Sequence, residues 1–176
     1  MNENFKKLVR WVVIGLALVF LAKTASEGGC SSQISTGSIA PAFQAVDAGG
    51  QGTWTLDSFR GTPVALLFFA TWCPSCRAEL PDVSQAMAQR PGMKVLLLGD
   101  EDPRVLRDFL KGRGLVIPAA GLAGGALQAY GVRSLPSVVV VDAQGKVDYS
   151  GRGGYATSRA LKRLAELSGQ DAATGL

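Results

Sequence analysis

The sequence contains no histidine, and only 3 of its 176 residues are cysteine. The lack of an imidazole excludes Ser-His-Asp and Cys-His catalysis, histidine metal ligands and histidine proton relays. Proton transfer must therefore use carboxylates, lysine, tyrosine, thiols or water. The cysteines Cys30, Cys73 and Cys76 are also too few for an iron–sulfur cluster, which usually has four thiolate ligands.

Charge is scarce as well. Charged residues make up 18% of the chain and the net charge is +4, while 47% of the residues are hydrophobic. No run of lysine or arginine with interleaved aromatic residues is present, so the sequence predicts no nucleic-acid binding. The length and the apolar composition suit one globular domain with an accessory segment.

The accessory segment lies at the N-terminus. Lys6, Lys7 and Arg10 precede an uninterrupted apolar run at 11–22. A basic flank before an apolar run is typical of an address for secretion. The run is shorter than the roughly 20 residues of a transmembrane helix, but flanking basic side chains can extend to the membrane surface. We predict a signal anchor or transmembrane segment at 1–26, which would place the domain on the periplasmic or extracytoplasmic side.

Two other fates of this segment remain open. It could be cleaved, although no clean cleavage site follows the apolar run. Cys30 could carry a lipid, although Glu27 stands where a lipoprotein signal has an aliphatic residue. Residues 27–39 are rich in Gly, Ser and Thr and predict a flexible tether. The domain is expected at 40–170, followed by a disordered tail at 171–176.

The remaining chain alternates between strand and helix patterns. Apolar runs at 63–70 and 94–99 have the length of buried strands. Helices are predicted at 74–89, 103–111, 122–130 and 157–168, and a closing hairpin at 136–142 and 146–150. An earlier hairpin surrounds the Gly-rich turn at 47–52. This order predicts an α/β fold with helices covering a sheet.

Cys73 and Cys76 form a CxxC pair in the stretch FFATWCPSCRAEL. A zinc site needs about four ligands, and covalent haem attachment needs a histidine directly after the second cysteine, where this chain has Arg77. A structural disulfide remains possible, but its two-residue spacer would restrict the unfolded chain little. The pattern favours a redox-active couple and predicts no metal.

Local structure supports the redox interpretation. Cys73 stands where a buried strand meets a helix, and the positive helix N-terminus favours a thiolate there. Pro74 suits the first helical turn, where no backbone N–H is needed. Cys76 lies one turn further on and could resolve a mixed disulfide formed by Cys73.

The motifs ATWCPSC and SLPSVVVVD, in this strand and helix order, resemble the thioredoxin fold. The closest resemblance is to the membrane-tethered TlpA/ResA-like thiol–disulfide oxidoreductases of bacteria, over about residues 37–168. It implies a thioredoxin-like fold with an N-terminal β-hairpin and a central insertion at 100–130. It also implies a redox-active Cys73–Cys76 disulfide and no other cofactor.

The resemblance also suggests how the thiols exchange protons. Ordinary thioredoxins have a buried aspartate six residues before the first cysteine, where this chain has Leu67. Glu79 is the replacement candidate, because it lies three residues after Cys76 on the predicted helix and flanks its apolar stripe. ResA-like proteins carry a glutamate at this position. The alternative is an ordinary solvated glutamate.

The same resemblance implies a substrate groove. It predicts a cis Leu135–Pro136 bond, with the Leu135 backbone pairing with an extended substrate. Trp72 and Pro74 are further contact candidates, although Trp72 could simply pack in the interior. The acidic residues 100–102 are interpreted as a solvated loop in which Asp102 caps a helix, with a partner-recognising groove edge as the alternative.

Together these features predict an extracytoplasmic thiol–disulfide oxidoreductase in which Cys73, Cys76 and Glu79 are catalytic. The family implies protein disulfide substrates, reduction as the direction, and a membrane thiol donor of the CcdA or DsbD type; reduction of apocytochrome c before haem attachment is typical. A peroxiredoxin-like peroxidase and a non-enzymatic thioredoxin-fold binding or assembly module are the alternatives.

Overall fold

A computed structural model describes residues 34–169 of the chain. The strands are β1 (Gln44–Asp47), β2 (Thr53–Thr55), β3 (Val64–Phe68), β4 (Val95–Gly99), β5 (Ala119–Leu122), β6 (Ser137–Val141) and β7 (Val147–Arg152). The α-helices are α1 (Pro74–Gln89), α2 (Pro103–Gly112), α3 (Ala126–Ala129) and α4 (Gly154–Leu167), and a 3₁₀ helix spans Leu56–Phe59.

The strands form one seven-stranded sheet in the order β2-β1-β5-β4-β3-β6-β7. The centre is parallel, because β3 pairs with β4 and β4 with β5 in the same direction. The edges are antiparallel, because β1 pairs with both β2 and β5, and β6 pairs with both β3 and β7. All residues of β3, β4 and β6 are buried, as expected for central strands covered on both sides.

Alternate strand residues feed two apolar clusters, one on each face of the sheet. The face that we call the cysteine face packs β-strand residues such as Leu67 against helices α1, α2 and α4, and it contains Cys73 and Cys76. The other, which we call the tyrosine face, packs residues such as Leu66 against Phe43 and Tyr130. The thioredoxin-like α/β fold predicted from the sequence is therefore confirmed.

Helix α1 occupies the predicted range 74–89, and α2 exceeds its predicted range of 103–111 by one residue. The helix predicted at 122–130 is present but shorter, at Ala126–Ala129, and the preceding strand β5 (Ala119–Leu122) is not predicted from the sequence. The small residues of β5 carry no strand pattern of their own. They form a strand because β4 and β1 provide backbone partners on both sides.

The described part of the predicted tether, residues 34–39, is hydrogen-bonded to the domain. The Gly37 N–H donates to the Val147 carbonyl at 2.7 Å, and the Ser150 hydroxyl donates to the Ile34 carbonyl at 2.9 Å. These six residues therefore lie along β7 as part of the fold. The predicted signal anchor at 1–26, the rest of the tether and the tail at 171–176 lie outside the described residues. Among the helices within 34–169, none is long and apolar enough to cross a membrane.

Candidate active site

Three loops meet at one end of the strands β3, β6 and β7, around the CxxC pair. Phe68, the last residue of β3, stands opposite Ser137, the first residue of β6, so the loop to Cys73 and the loop ending in Pro136 are neighbours. The Leu135–Pro136 bond is cis, as predicted. The third loop joins β7 to α4, and its Gly153 N–H donates to the Pro136 carbonyl at 2.9 Å.

Cys73 is the N-cap residue of α1. Its Sγ accepts a hydrogen bond from the Cys76 N–H at 3.3 Å, and the Ser75 hydroxyl lies 3.3 Å from the same sulfur. Pro74 occupies the first helical position and leaves no unpaired N–H there. Burial alone would raise the pKa of the Cys73 thiol, but hydrogen bonds from Cys76 and Ser75 outweigh it, so the pKa lies below its ordinary value. The arrangement favours a thiolate at Cys73.

Cys76 differs from Cys73 in its pKa. Both side chains are buried in the cysteine face, Cys73 at 5% exposed and Cys76 at 2% exposed. Burial raises the pKa of the Cys76 thiol to about 12, and the negative charges of Cys73 and Glu79 act in the same direction, while a backbone hydrogen bond with Ala70 offsets part of the shift. Cys76 is therefore a protonated thiol at neutral pH. Both cysteines are free thiols in this structure.

Glu79 is half-buried against the start of α4. A Cβ atom added to Gly154 would come within 2.7 Å of the Glu79 Oε1 atom, so a glycine is needed to seat the carboxylate. Neither the buried Oε2 atom of Glu79 nor the buried hydroxyl of Thr157 has a hydrogen-bond partner within the described residues. Burial raises the pKa of Glu79, nearby Thr157 lowers it, and the charge of Asp82 raises it. The net shift is upward, which favours a carboxyl group that can take up a proton from a neighbouring thiol.

The candidate substrate contacts surround this centre. Trp72 is 69% exposed, so most of its side chain is accessible to a partner. Pro74 is also exposed, Leu135 is half-buried against both apolar clusters, and Pro136 is buried. Leu67 is 2% exposed on the cysteine face, so the position of the thioredoxin aspartate is apolar here.

Sequence reasoning missed two pairs of residues at the site. Gly154 and Thr157 surround the Glu79 carboxylate, yet they lie on a helix 75 or more positions further along the chain. Glu101 belongs to the acidic stretch interpreted from the sequence as a solvated loop, but it is half-buried and accepts hydrogen bonds from Thr71, two residues before Cys73. The residue types gave no signal for either contact, because both depend on the tertiary fold.

The rest of the acidic stretch is as predicted. Asp102 caps α2, because its carboxylate accepts a hydrogen bond from the Arg104 N–H at 2.8 Å. The carboxylate also pairs with the Arg104 guanidinium, and these interactions hold the pKa of Asp102 at about 2. Asp102 is thus a structural residue, whereas its neighbour Glu101 reaches the site.

A cysteine with a lowered pKa at a helix N-terminus, a second cysteine with a raised pKa and a half-buried carboxylate constitute a dithiol–disulfide exchange centre. Within the described part of the chain, no third cysteine, Asp or Glu joins the thiols in a cluster that could hold a metal. The fold and the site together define a thioredoxin-superfamily protein with a thiol–disulfide couple.

Comparison with known proteins gives the family. The AhpC/TSA family model matches residues 36–150. The thiol-disulfide oxidoreductase ResA of Geobacillus thermodenitrificans is 29% identical over 153 residues, covering 84% of this chain and 87% of the relative. ResA of Geobacillus kaustophilus is 30% identical over 118 residues, covering 65% of this chain and 67% of the relative.

A solved structure agrees with these relatives. The thiol:disulfide interchange protein of the thioredoxin family from Chlorobium tepidum superimposes with a TM-score of 0.60 at 25% identity, covering 76% of this chain and 99% of that one. The chain belongs to the AhpC/TSA family, as a ResA-like member of the thioredoxin superfamily. It is a thiol–disulfide oxidoreductase.

Proposed function

We propose that the protein reduces disulfides of other proteins on the extracytoplasmic side of the membrane. The observation that carries this proposal is the asymmetry of the couple. Hydrogen bonds at the N-terminus of α1 lower the pKa of Cys73, whereas burial raises the pKa of Cys76 to about 12. In such a pair one cysteine attacks the substrate as a thiolate, and the other later resolves the mixed disulfide. The names of the ResA relatives support the same chemistry.

The reaction proceeds in two exchanges. The Cys73 thiolate attacks one sulfur of the substrate disulfide, which forms a mixed disulfide and releases one substrate thiolate. Cys76 then gives its proton to the Glu79 carboxylate and attacks the Cys73 sulfur. The second substrate thiolate leaves. The Cys76 proton, passed on by Glu79, and one proton from water complete the two substrate thiols, and the protein keeps a Cys73–Cys76 disulfide. A donor dithiol must then return two electrons and one proton to restore the Cys73 thiolate and the Cys76 thiol.

The loops beside the thiols would bind the substrate. In this proposal the backbone of Leu135, before the cis Pro136, pairs with an extended segment of the substrate. Trp72 and Pro74 offer an exposed apolar surface beside Cys73. The donor would be a membrane thiol carrier of the CcdA or DsbD type, with the domain attached to the membrane through residues 1–26. Apocytochrome c is the substrate class that we expect.

The decisive experiment is to trap the mixed disulfide in full-length protein. Cys76→Ser should accumulate disulfide-linked adducts on Cys73, which disappear on reduction and which mass spectrometry can identify. Cys73→Ser is the matched control and should trap no partner. Equal trapping by both variants, or adducts on Cys76 alone, would contradict the assignment of Cys73 as the nucleophile.

A second measurement tests the direction. A reductase needs a reduction potential well below that of the oxidant DsbA, which lies at about −120 mV. Equilibration of the Cys73–Cys76 couple with glutathione buffers gives this value directly. A potential close to that of DsbA would overturn the proposed direction while leaving the oxidoreductase activity in place.

A further inference from the structure

The side chain of Glu101 reaches across from the loop after β4 to the active-site loop. The backbone N–H and the hydroxyl of Thr71 each donate a hydrogen bond to it, at 2.7 and 2.5 Å. Each carboxylate oxygen accepts one of these bonds. Within residues 34–169, no Lys or Arg forms an ion pair with Glu101. Thr71 therefore provides the hydrogen-bond donors for this half-buried carboxylate.

Thr71 lies in the short loop between β3 and α1, directly before the CxxC pair. Its neighbour Ala70 accepts a hydrogen bond from the Cys73 N–H at 3.1 Å, and the Ala70 backbone also interacts with the Cys76 thiol. The start of the loop is fixed to β4, since the Phe69 N–H donates to the Leu98 carbonyl at 3.0 Å. Glu101 provides the second attachment, on the side nearer the cysteines.

The backbone of Glu101 packs closely against strand β5. A Cβ atom on Gly121, in β5, would come within 2.7 Å of the Glu101 carbonyl oxygen and within 2.9 Å of the Pro103 ring. Only a glycine allows the Glu101 backbone to approach β5 this closely. A path of contacts thus runs from β5 through Glu101 to Thr71 and the loop before Cys73.

We propose that Glu101 is a positioning residue that holds Thr71, so that Cys73 keeps its N-cap geometry and its thiolate stays stabilised. This inference rests on the proposed role of Cys73 as the nucleophile. A direct electrostatic effect of the Glu101 charge on Cys73 would instead disfavour the thiolate, because like charges repel. The hydrogen bonds at Cys73 depend on the position of the sulfur, however, and they require the loop to be fixed. The two effects have opposite signs, which makes them separable.

The test is the pH profile of Cys73 alkylation in the reduced, full-length Glu101→Gln variant, read by mass spectrometry at the Cys73 peptide. Glutamine keeps the size of the side chain, but it replaces two hydrogen bonds to a charged acceptor with weaker neutral ones, and the Thr71 hydroxyl must turn from donor to acceptor. A positioning role predicts a rise in the alkylation midpoint and a rate at neutral pH at least about threefold lower, because the rate follows the thiolate fraction. A purely electrostatic role predicts the opposite: a lower midpoint and a faster rate.

Three further variants complete the design. Asp100→Asn removes an exposed charge from the same acidic stretch and should leave the profile unchanged. Thr71→Ser keeps both donors and should behave like the wild type, whereas Thr71→Val should shift the profile in the same direction as Glu101→Gln. Gly121→Ala displaces the Glu101 backbone with its carboxylate intact and should shift the profile in that direction too.

The reduction potential gives an independent readout that mere loss of stability would not move. If the reduced form loses thiolate stabilisation, the potential of Glu101→Gln becomes more negative than that of the wild type. An unchanged profile and potential, or a shift of equal size in Asp100→Asn, would overturn the positioning role. If instead wild-type Cys73 alkylates only with an ordinary thiol midpoint, the proposed function fails before this inference is reached.

Discussion

The two faces of the sheet bury similar apolar side chains but treat their polar groups differently. On the tyrosine face, Tyr130 is fully buried and its hydroxyl donates to the Pro41 carbonyl at 2.6 Å. On the cysteine face, the buried Oε2 atom of Glu79 and the hydroxyl of Thr157 have no partner within the described residues. Unpaired buried polar atoms cost stability. Glu79 and Thr157 belong to α1 and α4, two of the helices that cover the face with the thiols.

The strongest test of this comparison uses two adjacent residues of β3 that point to opposite faces. Leu66 is 0% exposed on the tyrosine face, and Leu67 is 2% exposed on the cysteine face. Leu66→Ala and Leu67→Ala should each lower the free energy of unfolding by about 2–5 kcal/mol, because each leaves a cavity in a packed cluster. Denaturant titration of the reduced protein measures both losses.

Only the cysteine-face variant should also change the thiols. Leu67 belongs to the same apolar cluster as Cys76, and burial is the main reason for the raised pKa of Cys76, so Leu67→Ala should lower that pKa from about 12. The absorbance of the thiolate during an alkaline titration reports this change. If Leu66→Ala shifted the titration by the same amount, the two faces would not differ in the way that we describe.

The next effect concerns the rate of thiol exchange. Glu79→Gln keeps the shape of the side chain but removes its proton exchange, so turnover at neutral pH should fall by about 100-fold. Gly154→Ala should lower turnover as well, because it pushes the Glu79 carboxylate out of its seat. Asp82→Asn, an exposed acid on the same helix, serves as the charge control and should retain most of the activity. A Glu79→Gln enzyme as active as the wild type would contradict the proton-transfer role.

Glu79→Gln should also change how stability depends on pH. Because the folded protein raises the pKa of Glu79, the stability contributed by its protonated form is fully present below 4.5, the ordinary value, and is lost as pH rises through the folded pKa. Glutamine does not ionise and avoids this loss. The variant should therefore gain stability relative to the wild type as pH rises above 4.5, measured by thermal unfolding across the pH series. A stability difference independent of pH would contradict the raised pKa.

Some of the elements and contacts that these variants test could be predicted from the sequence, and others could not. Helix α1 could be predicted over its full range of 74–89, because Pro74, a buried strand before it and an apolar stripe are local signals. Strand β5 could not, because its small residues become a strand only between β4 and β1. The same holds within the site. Cys73, Cys76 and Glu79 share one motif, but the contact between Thr71 and Glu101 spans 30 positions and depends on the fold.

A smaller effect is expected on the tyrosine face. Tyr130→Phe removes the hydroxyl that donates to the Pro41 carbonyl and should cost about 1–2 kcal/mol of unfolding free energy. The alkylation profile of Cys73 should stay that of the wild type, because Tyr130 lies on the other side of the sheet from the thiols. A changed profile would show that the two faces are coupled.

The smallest effect on stability is expected at Trp72, which is 69% exposed. Trp72→Ala should change the free energy of unfolding by no more than about 0.5 kcal/mol, since exposed side chains contribute little to the fold. It should still raise the KM for a protein disulfide, because the proposed contact surface beside Cys73 is lost, while alkylation by a small reagent stays unchanged. Val116→Ala is the matched control. Val116 is 87% exposed, but it precedes β5 and so lies at the opposite end of the parallel strands from the CxxC pair. Equal KM values for the two variants would remove Trp72 from the substrate surface, and a slower small-reagent alkylation in Trp72→Ala would assign the residue to the thiol site itself.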